Sequence, residues 1–169
     1  NTIIGALRPT PAKPHYTFNL RDLSKVFQGM LMVDRRKVQT SRAVGRLWWH
    51  ECSRVFGDRL VNGEDIAWLR NTMATNLEKY TELKGDDLWA EHSHVLYSDF
   101  MIPGADPKIY EEVTSLEMLQ QTVEEYLQEY NAESKQPMNL VMFTDAVMHV
   151  TKITRVFRQP SGHALLLGV

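Results

Sequence analysis

The 169-residue sequence has little of several features that would identify a protein class directly. It contains a single cysteine, Cys52, which excludes an internal disulfide framework and a zinc site built from several cysteines. Its 19 basic and 21 acidic residues nearly cancel, so no excess of positive charge predicts binding to nucleic acid. Its longest apolar runs, such as residues 164–167, are far too short to cross a membrane. We therefore expect neither a nucleic-acid partner nor a membrane partner.

What the sequence does have is a set of amphipathic helical patterns. Apolar residues recur every three or four positions in five segments, and residues typical of helix caps flank them. The segments are residues 19–31, 41–56, 62–80, 114–130 and 140–158. The composition and the five patterns together predict a mostly α-helical fold.

The pattern also predicts which side of each helix is buried. In the first segment the predicted buried stripe is Leu20, Leu23, Val26, Phe27, Met30 and Leu31. In the last it is Phe143, Val147, Val150, Ile153 and Phe157. Asn19 is predicted to cap the first helix, and Thr114 with Glu117 forms a predicted capping box for the fourth.

The remaining segments lack the helical period. Residues 9–18 contain three prolines and are predicted to be extended. Residues 95–100 fit either a short strand or an extended tie, and residues 164–169 are typical of a buried strand. A single apolar strand at the end of a chain would lack a partner sheet, so we expect the chain to be a piece of a longer protein.

Isolated residues offer only weak evidence for chemistry. His92 and His94 flank Ser93 and fit a metal site, which would suit a metal-dependent hydrolase. Two histidines without a third ligand at a recognisable spacing are more typical of an exposed loop. Cys52 lies on an apolar helical stripe and is predicted to be an inert core thiol. We assign no catalytic residue and no metal ligand.

Three longer motifs carry a family resemblance. Residues 16–24, Tyr-Thr-Phe-Asn-Leu-Arg-Asp-Leu-Ser, follow a proline-containing run at 9–13 and resemble the lid of the third AAA+ module of dynein heavy chains. Residues 138–146 resemble the entry to the fourth module, and residues 155–169 resemble the run into its P-loop. The resemblance covers nearly the whole chain in consistent order, although residues 33–106 are much less distinctive. The run Phe-Asn-Leu-Arg-Asp at residues 18–22 looks more like axonemal than cytoplasmic dyneins.

The resemblance implies a domain organisation. Residues 1–85 would be the small helical lid of the third module, and residues 86–113 a connector. Residues 114–169 would be the first helices and first strand of the P-loop α/β subdomain of the fourth module, ending before the P-loop. Without that loop the chain would be inactive alone as an ATPase, although the parent motor hydrolyses ATP.

The resemblance also implies roles for three residues. Arg21 matches the lid arginine that contacts the terminal phosphate of bound nucleotide; the alternative is a surface arginine paired with a carboxylate such as Asp22. Leu140 and Val141 match a segment that packs on the adenine ring. Ordinary core packing is the alternative for these two residues, and both roles can hold together.

The family context supplies expected partners and location. ATP with magnesium is the cofactor of the parent protein, and none is expected to bind tightly to the fragment. The expected partners are the rest of the heavy-chain ring, intermediate and light chains, and, through the parent motor, microtubules. The expected location is the cytoplasm, the cytoskeleton and the axoneme of cilia and flagella. A helical interaction module without enzymatic function remains the alternative, and it would show no dependence on nucleotide.

Overall fold

The computed structural model of the chain describes residues 2–89 and 94–166. It is 57% helical, which confirms the predicted mostly-α class. The described residues form six α-helices: α1 (Thr2–Ala6), α2 (Leu20–Met30), α3 (Ser41–Phe56), α4 (Gly63–Tyr80), α5 (Leu116–Glu133) and α6 (Thr144–Phe157). They also form two short antiparallel strands: β1 (Tyr97–Ser98) and β2 (Glu111–Glu112). The chain divides into two compact units, Asn1–Val95 and Leu96–Val169.

The first unit contains α1 to α4 and the extended segment between α1 and α2. Asparagine or threonine side chains cap α2, α3 and α4 by accepting backbone N–H groups of the first turn: Asn19, Thr40 and Asn62. The core of this unit collects apolar residues from the extended segment, from α2, α3 and α4, and from the turns that follow α3 and α4: Leu7, Tyr16, Phe18, Val26, Trp49, Cys52, Val55, Phe56, Leu60, Leu69, Met73, Leu77 and Leu88. The extended segment therefore contributes to the core rather than merely linking two helices.

Helix α2 buries a different face from the one predicted. The predicted stripe is right for Val26, which is buried, and for Met30, which packs against the core. It is wrong for four residues that are between 45% and 84% exposed: Leu20, Leu23, Phe27 and Leu31. The buried side is Asp22, Val26 and Gly29. The prediction fails because the helical period places only apolar residues on the buried side. A charged residue can also face the core when a partner elsewhere in the chain pairs with it, and no local pattern reveals that partner.

The second unit joins α5 and α6 to the segment that precedes them. Its core consists of Leu96, Phe100, Val113, Leu119, Val123 and Val147. The N–H of Val113 donates to the carbonyl of Leu96 at 2.9 Å, beside the β1–β2 pair. Residues 97–98 thus form a short strand, which is one of the two alternatives that the sequence allowed for residues 95–100.

Two predicted helix starts in this unit are wrong. Helix α5 is capped by Ser115 rather than Thr114, since the Ser115 hydroxyl accepts the N–H of Met118 at 3.2 Å. Helix α6 begins at Thr144 rather than Leu140, and residues 140–143 have no regular structure. The apolar residues at 140–143 continue the helical period in the sequence, so the sequence predicts one more helical turn than the structure contains.

The inward face of α6 also differs from the prediction. Val147 is buried as predicted, but its buried neighbours on the helix are Thr151 and Arg155. Phe143 and Phe157 are 59% and 61% exposed. The Arg155 guanidinium lies 5.2 Å from the ring centre of Tyr110, a cation–π contact that brings a basic residue to the inside of the unit.

The predicted strand at residues 164–169 is not formed in its described part. Ala164, Leu165 and Leu166 have no strand structure, and Leu165 and Leu166 are 84% and 70% exposed. A strand requires a neighbour for its backbone N–H and C=O groups, and these residues pair with no strand among the described residues. The rest of the predicted strand, residues 167–169, lies outside the described residues.

The packing of α2 on α3 leads to a stability prediction at Gly29. A Cβ atom there would overlap the carboxylate of Glu51, which is fully buried and accepts hydrogen bonds from Arg54 at 3.0 and 2.9 Å. Overpacking of this kind costs about 1–3 kcal/mol, and the better helix propensity of alanine offsets about 1 kcal/mol at most. Gly29→Ala should therefore lower the free energy of unfolding, measured by urea denaturation.

Gly63→Ala is the matched control, because a Cβ at this helical glycine has no neighbour within 4 Å. We expect this variant to be as stable as the parent chain or slightly more stable. Equal stability of the Gly29 and Gly63 variants would contradict the described α2–α3 contact.

Candidate functional site

The extended segment before α2 is fixed to the start of α4 by one carboxylate. The Asp65 carboxylate pairs with the Lys13 ammonium and accepts a hydrogen bond from the Tyr16 hydroxyl at 2.7 Å. The same hydroxyl accepts the N–H of Val61 at 3.1 Å, and Tyr16 is only 2% exposed. The N–H of Asp65 in turn donates to its cap, Asn62. This cluster places the extended segment at a defined position on the unit.

These contacts change the protonation of Asp65. The hydrogen bond from Lys13, and after it that from Tyr16, holds the pKa of the Asp65 carboxyl below its usual range. The charged form of Asp65 is therefore the form that the folded chain stabilises.

Arg59 fixes the second half of the same segment. It ends the short 3₁₀ turn Gly57–Arg59, and its Nη2 donates to the carbonyls of His15 at 2.9 Å and Thr17 at 3.2 Å. Its guanidinium carbon lies 4.5 Å from the ring centre of Phe18. Its Nη1 lies 3.1 Å from Oδ2 of Asp22. One side chain thus connects the extended segment to the first turn of α2.

A capping box organises that first turn. The Asn19 side chain accepts the N–H of Arg21 at 2.8 Å, and Oδ2 of Asp22 accepts the N–H of Asn19 at 2.9 Å. Asp22 also pairs with Lys25 at 3.7 Å. The buried carboxylate therefore has both hydrogen-bond and ion-pair partners.

Arg21 lies in this first turn of α2, and its side chain is exposed. Within residues 2–89 and 94–166 its guanidinium has no hydrogen-bond or ion-pair partner. The pairing with Asp22 that the sequence left open is not formed, because Asp22 is occupied by Arg59 and Lys25. A helix N-terminus carries partial positive charge, so this cation adds to the local field rather than cancelling it.

Leu140 and Val141 lie in the other unit, in the segment between α5 and α6. They are 53% and 83% exposed. Asn131, near the end of α5, holds the start of the segment: its Oδ1 accepts the N–H of Met138 at 2.7 Å, and its Nδ2 donates to the Met138 carbonyl at 2.9 Å. Core packing therefore does not account for these two apolar side chains in the described part of the chain.

The weaker candidates gain no support from the geometry. His92 lies outside the described residues, and the carbonyl of His94 accepts a hydrogen bond from Arg46 at 2.7 Å. The part of the chain that the structure describes contains no group of three metal-ligating side chains. Cys52 is buried, and burial raises the pKa of its thiol to about 12, so a reactive thiolate is disfavoured.

Arg59 and Asp65 are the residues of the candidate site that sequence reasoning missed. The polar N-cap at Asn62 was recognisable, and Asp65 lies three residues after it. Arg59 follows a glycine and an aspartate in a turn and has no local signal, since the carbonyls of His15 and Thr17 and the carboxylate of Asp22 lie about forty residues away in the sequence.

Comparisons with known proteins find a family model for each end of the chain. The family model of the AAA+ lid domain matches residues 1–90, which include the whole Arg21 region. The chain belongs to the AAA+ lid domain family. Beyond the lid domain, the family model of the P-loop containing dynein motor region D4 matches residues 138–169, which include Leu140 and Val141.

Several axonemal dynein heavy chains are similar to this chain. Dynein axonemal heavy chain 1 of Homo sapiens is 49% identical over 168 residues, which cover 99% of this chain. Dynein axonemal heavy chain 2 of Homo sapiens is 42% identical over 170 residues, and heavy chain 6 is 39% identical over 165. The chain spans about 4% of the length of these relatives. The expected axonemal dynein resemblance is confirmed. Among the described helices none is long and apolar enough to span a membrane.

The Asp65 cluster predicts a pH-dependent stability difference. The pKa of Asp65 is lower in the folded chain than in the unfolded chain, where it is about 3.9, so charged Asp65 stabilises the fold at a pH above that value. This stabilisation is lost as the pH falls through the pKa of the folded chain. Asp65→Asn should therefore lower Tm at pH 7, and the gap from the parent chain should shrink below about pH 4. The measurement is thermal unfolding between pH 7 and pH 3.

Asp86→Asn is the control, because it removes the charge of an exposed carboxylate in the same unit. A gap for Asp65→Asn that is constant over the whole pH range would count against the ion pair with Lys13.

Proposed function

We propose that this chain forms the lid of the third AAA+ module and the beginning of the fourth in the heavy chain of an axonemal dynein. In this role it is part of an ATP-driven motor that moves on microtubules in cilia and flagella. The order of the two family matches supports this placement, since the lid domain precedes the D4 region. The partners are the rest of the heavy-chain ring, the intermediate and light chains and, through the whole motor, microtubules.

The observation that supports the proposal most directly is the environment of the Arg21 side chain. Its guanidinium is exposed and unpaired among the described residues, while the helix start that bears it is held by Asn19, Asp22 and Arg59. An arginine held in this way has its donors available for a charged acceptor from outside the lid. Such an acceptor is anionic, because both the side chain and the helix N-terminus favour negative charge.

In the proposed role that acceptor is the terminal phosphate of ATP bound to the third module. The guanidinium fork makes a charge-assisted contact with the phosphate oxygens, and the contact draws the lid toward the nucleotide. Loss of the terminal phosphate removes the contact, so the position of the lid follows the nucleotide state. Magnesium accompanies ATP in the rest of the module, and we assign no residue of this chain to it.

Leu140 and Val141 belong to a separate site, the adenine pocket of the fourth module. Their exposed apolar side chains fit one face of a purine ring, and Asn131 fixes the start of the segment that bears them. Val141→Asp in a full-length heavy chain tests this role. We expect weaker binding of adenine nucleotide to the fourth module and an unchanged melting temperature of the chain, because Val141 is 83% exposed. Unchanged affinity would overturn the assignment.

Arg21→Ala in a full-length heavy chain tests the coupling role directly. Losing one charge-assisted contact costs about 1.5–3 kcal/mol, or roughly a ten- to hundredfold change in an equilibrium. We therefore expect the ATP concentration for half-maximal release from microtubules to rise by about that factor. Arg21→Lys should recover only part of the loss, because an ammonium group cannot form the guanidinium fork.

The control for stability is the melting temperature of the chain itself, which Arg21→Ala should leave unchanged because the side chain has no described partner. Normal ATP-dependent release and normal gliding in the Arg21→Ala motor would contradict the coupling role and favour the alternative, in which Arg21 is an ordinary surface arginine.

A further inference from the structure

Arg59 has an unusual combination of contacts for a residue in a turn. It reaches the backbone of the extended segment at two carbonyls and the carboxylate of Asp22 in the first turn of α2. These acceptors lie on both sides of Asn19, the residue at which α2 begins. A planar group with five donors can serve all of them together, whereas an ammonium group cannot.

The Asp22 carboxylate makes the charge of Arg59 necessary. Its side chain is only 6% exposed, so an unpaired charge there would be costly. Lys25 is a weaker partner, at 3.7 Å with a side chain that is 62% exposed. Without Arg59 the buried carboxylate would attract another nearby cation, and Arg21 is its immediate neighbour in the chain.

We propose that Arg59 is a positioning residue for Arg21. It holds the first turn of α2 against the extended segment, and it neutralises Asp22 so that the Arg21 guanidinium stays free to bind a phosphate group. This inference rests on the proposed function of Arg21. Arg59 itself does not contact the nucleotide in this role; it acts only through Asp22 and the backbone around Asn19.

A double-mutant cycle in the full-length heavy chain tests the proposal. The readout is the ATP concentration for half-maximal microtubule release in the parent motor, Arg21→Ala, Arg59→Ala and the double variant. We expect Arg59→Ala to raise it about three- to tenfold, a smaller effect than that of Arg21→Ala. The double variant should match Arg21→Ala alone, because Arg59 acts through Arg21.

A suppressor variant separates positioning from a general structural role. Adding Asp22→Asn to Arg59→Ala removes the charge that would recruit Arg21, so it should restore part of the lost ATP sensitivity. Arg59→Lys keeps the cation and should give an intermediate value, which supplies a second measurement if Arg59→Ala does not fold. Arg36→Ala is the matched control, since the exposed Arg36 pairs with Asp34 in a short 3₁₀ helix of the same unit and its loss should have no effect.

Three results would overturn the proposal. Effects of Arg21→Ala and Arg59→Ala that multiply in the double variant would make Arg59 an independent structural residue. An unchanged Arg59→Ala motor beside an impaired Arg21→Ala motor would remove the positioning role while leaving the proposed function intact. An unchanged Arg21→Ala motor would remove both.

Discussion

The buried Asp22 carboxylate is the group on which the first turn of α2, and with it the position of Arg21, depends. It lies on the core side of α2, where an unpaired charge would favour unfolding. Three groups stabilise it: the N–H of Asn19, the guanidinium of Arg59 and the ammonium of Lys25. The same contacts set the direction in which α2 leaves the extended segment. Because α2 is oriented from its first turn, the neighbouring Arg21 projects from a fixed point rather than from a mobile loop.

A second charged cluster supports the first from the opposite end of the segment. Lys13, Tyr16 and Asp65 attach residues 13–16 to α4, while Arg59 attaches residues 15–17 to the turn after α3. Both clusters join parts of the chain that are far apart in sequence, and they act together with Tyr16 and Phe18, which the same segment buries in the core. Several apolar residues, in contrast, face outward at the two ends of α2, where Leu20 and Leu31 are 75% and 84% exposed.

The sequence predicted the helices well because periodicity and caps are local properties. The Asn19 cap and five of the six described helices follow from the pattern. The buried faces of α2 and α6 could not be predicted in the same way, since Asp22 and Arg155 are buried against partners that only the fold brings near. The roles of Arg21, Leu140 and Val141 came from the family resemblance, and no local pattern marks Arg59.

The most direct test is a structure of the full-length heavy chain with a non-hydrolysable ATP analogue in the third module. The central claim is that Arg21 binds the terminal phosphate while Arg59 holds Asp22. It predicts a guanidinium nitrogen of Arg21 about 2.7–3.1 Å from an oxygen of that phosphate, with the Arg59–Asp22 pair retained. An Arg21 side chain that instead pairs with Asp22, or that lies beyond hydrogen-bond reach of the phosphate in the closed module, would contradict it.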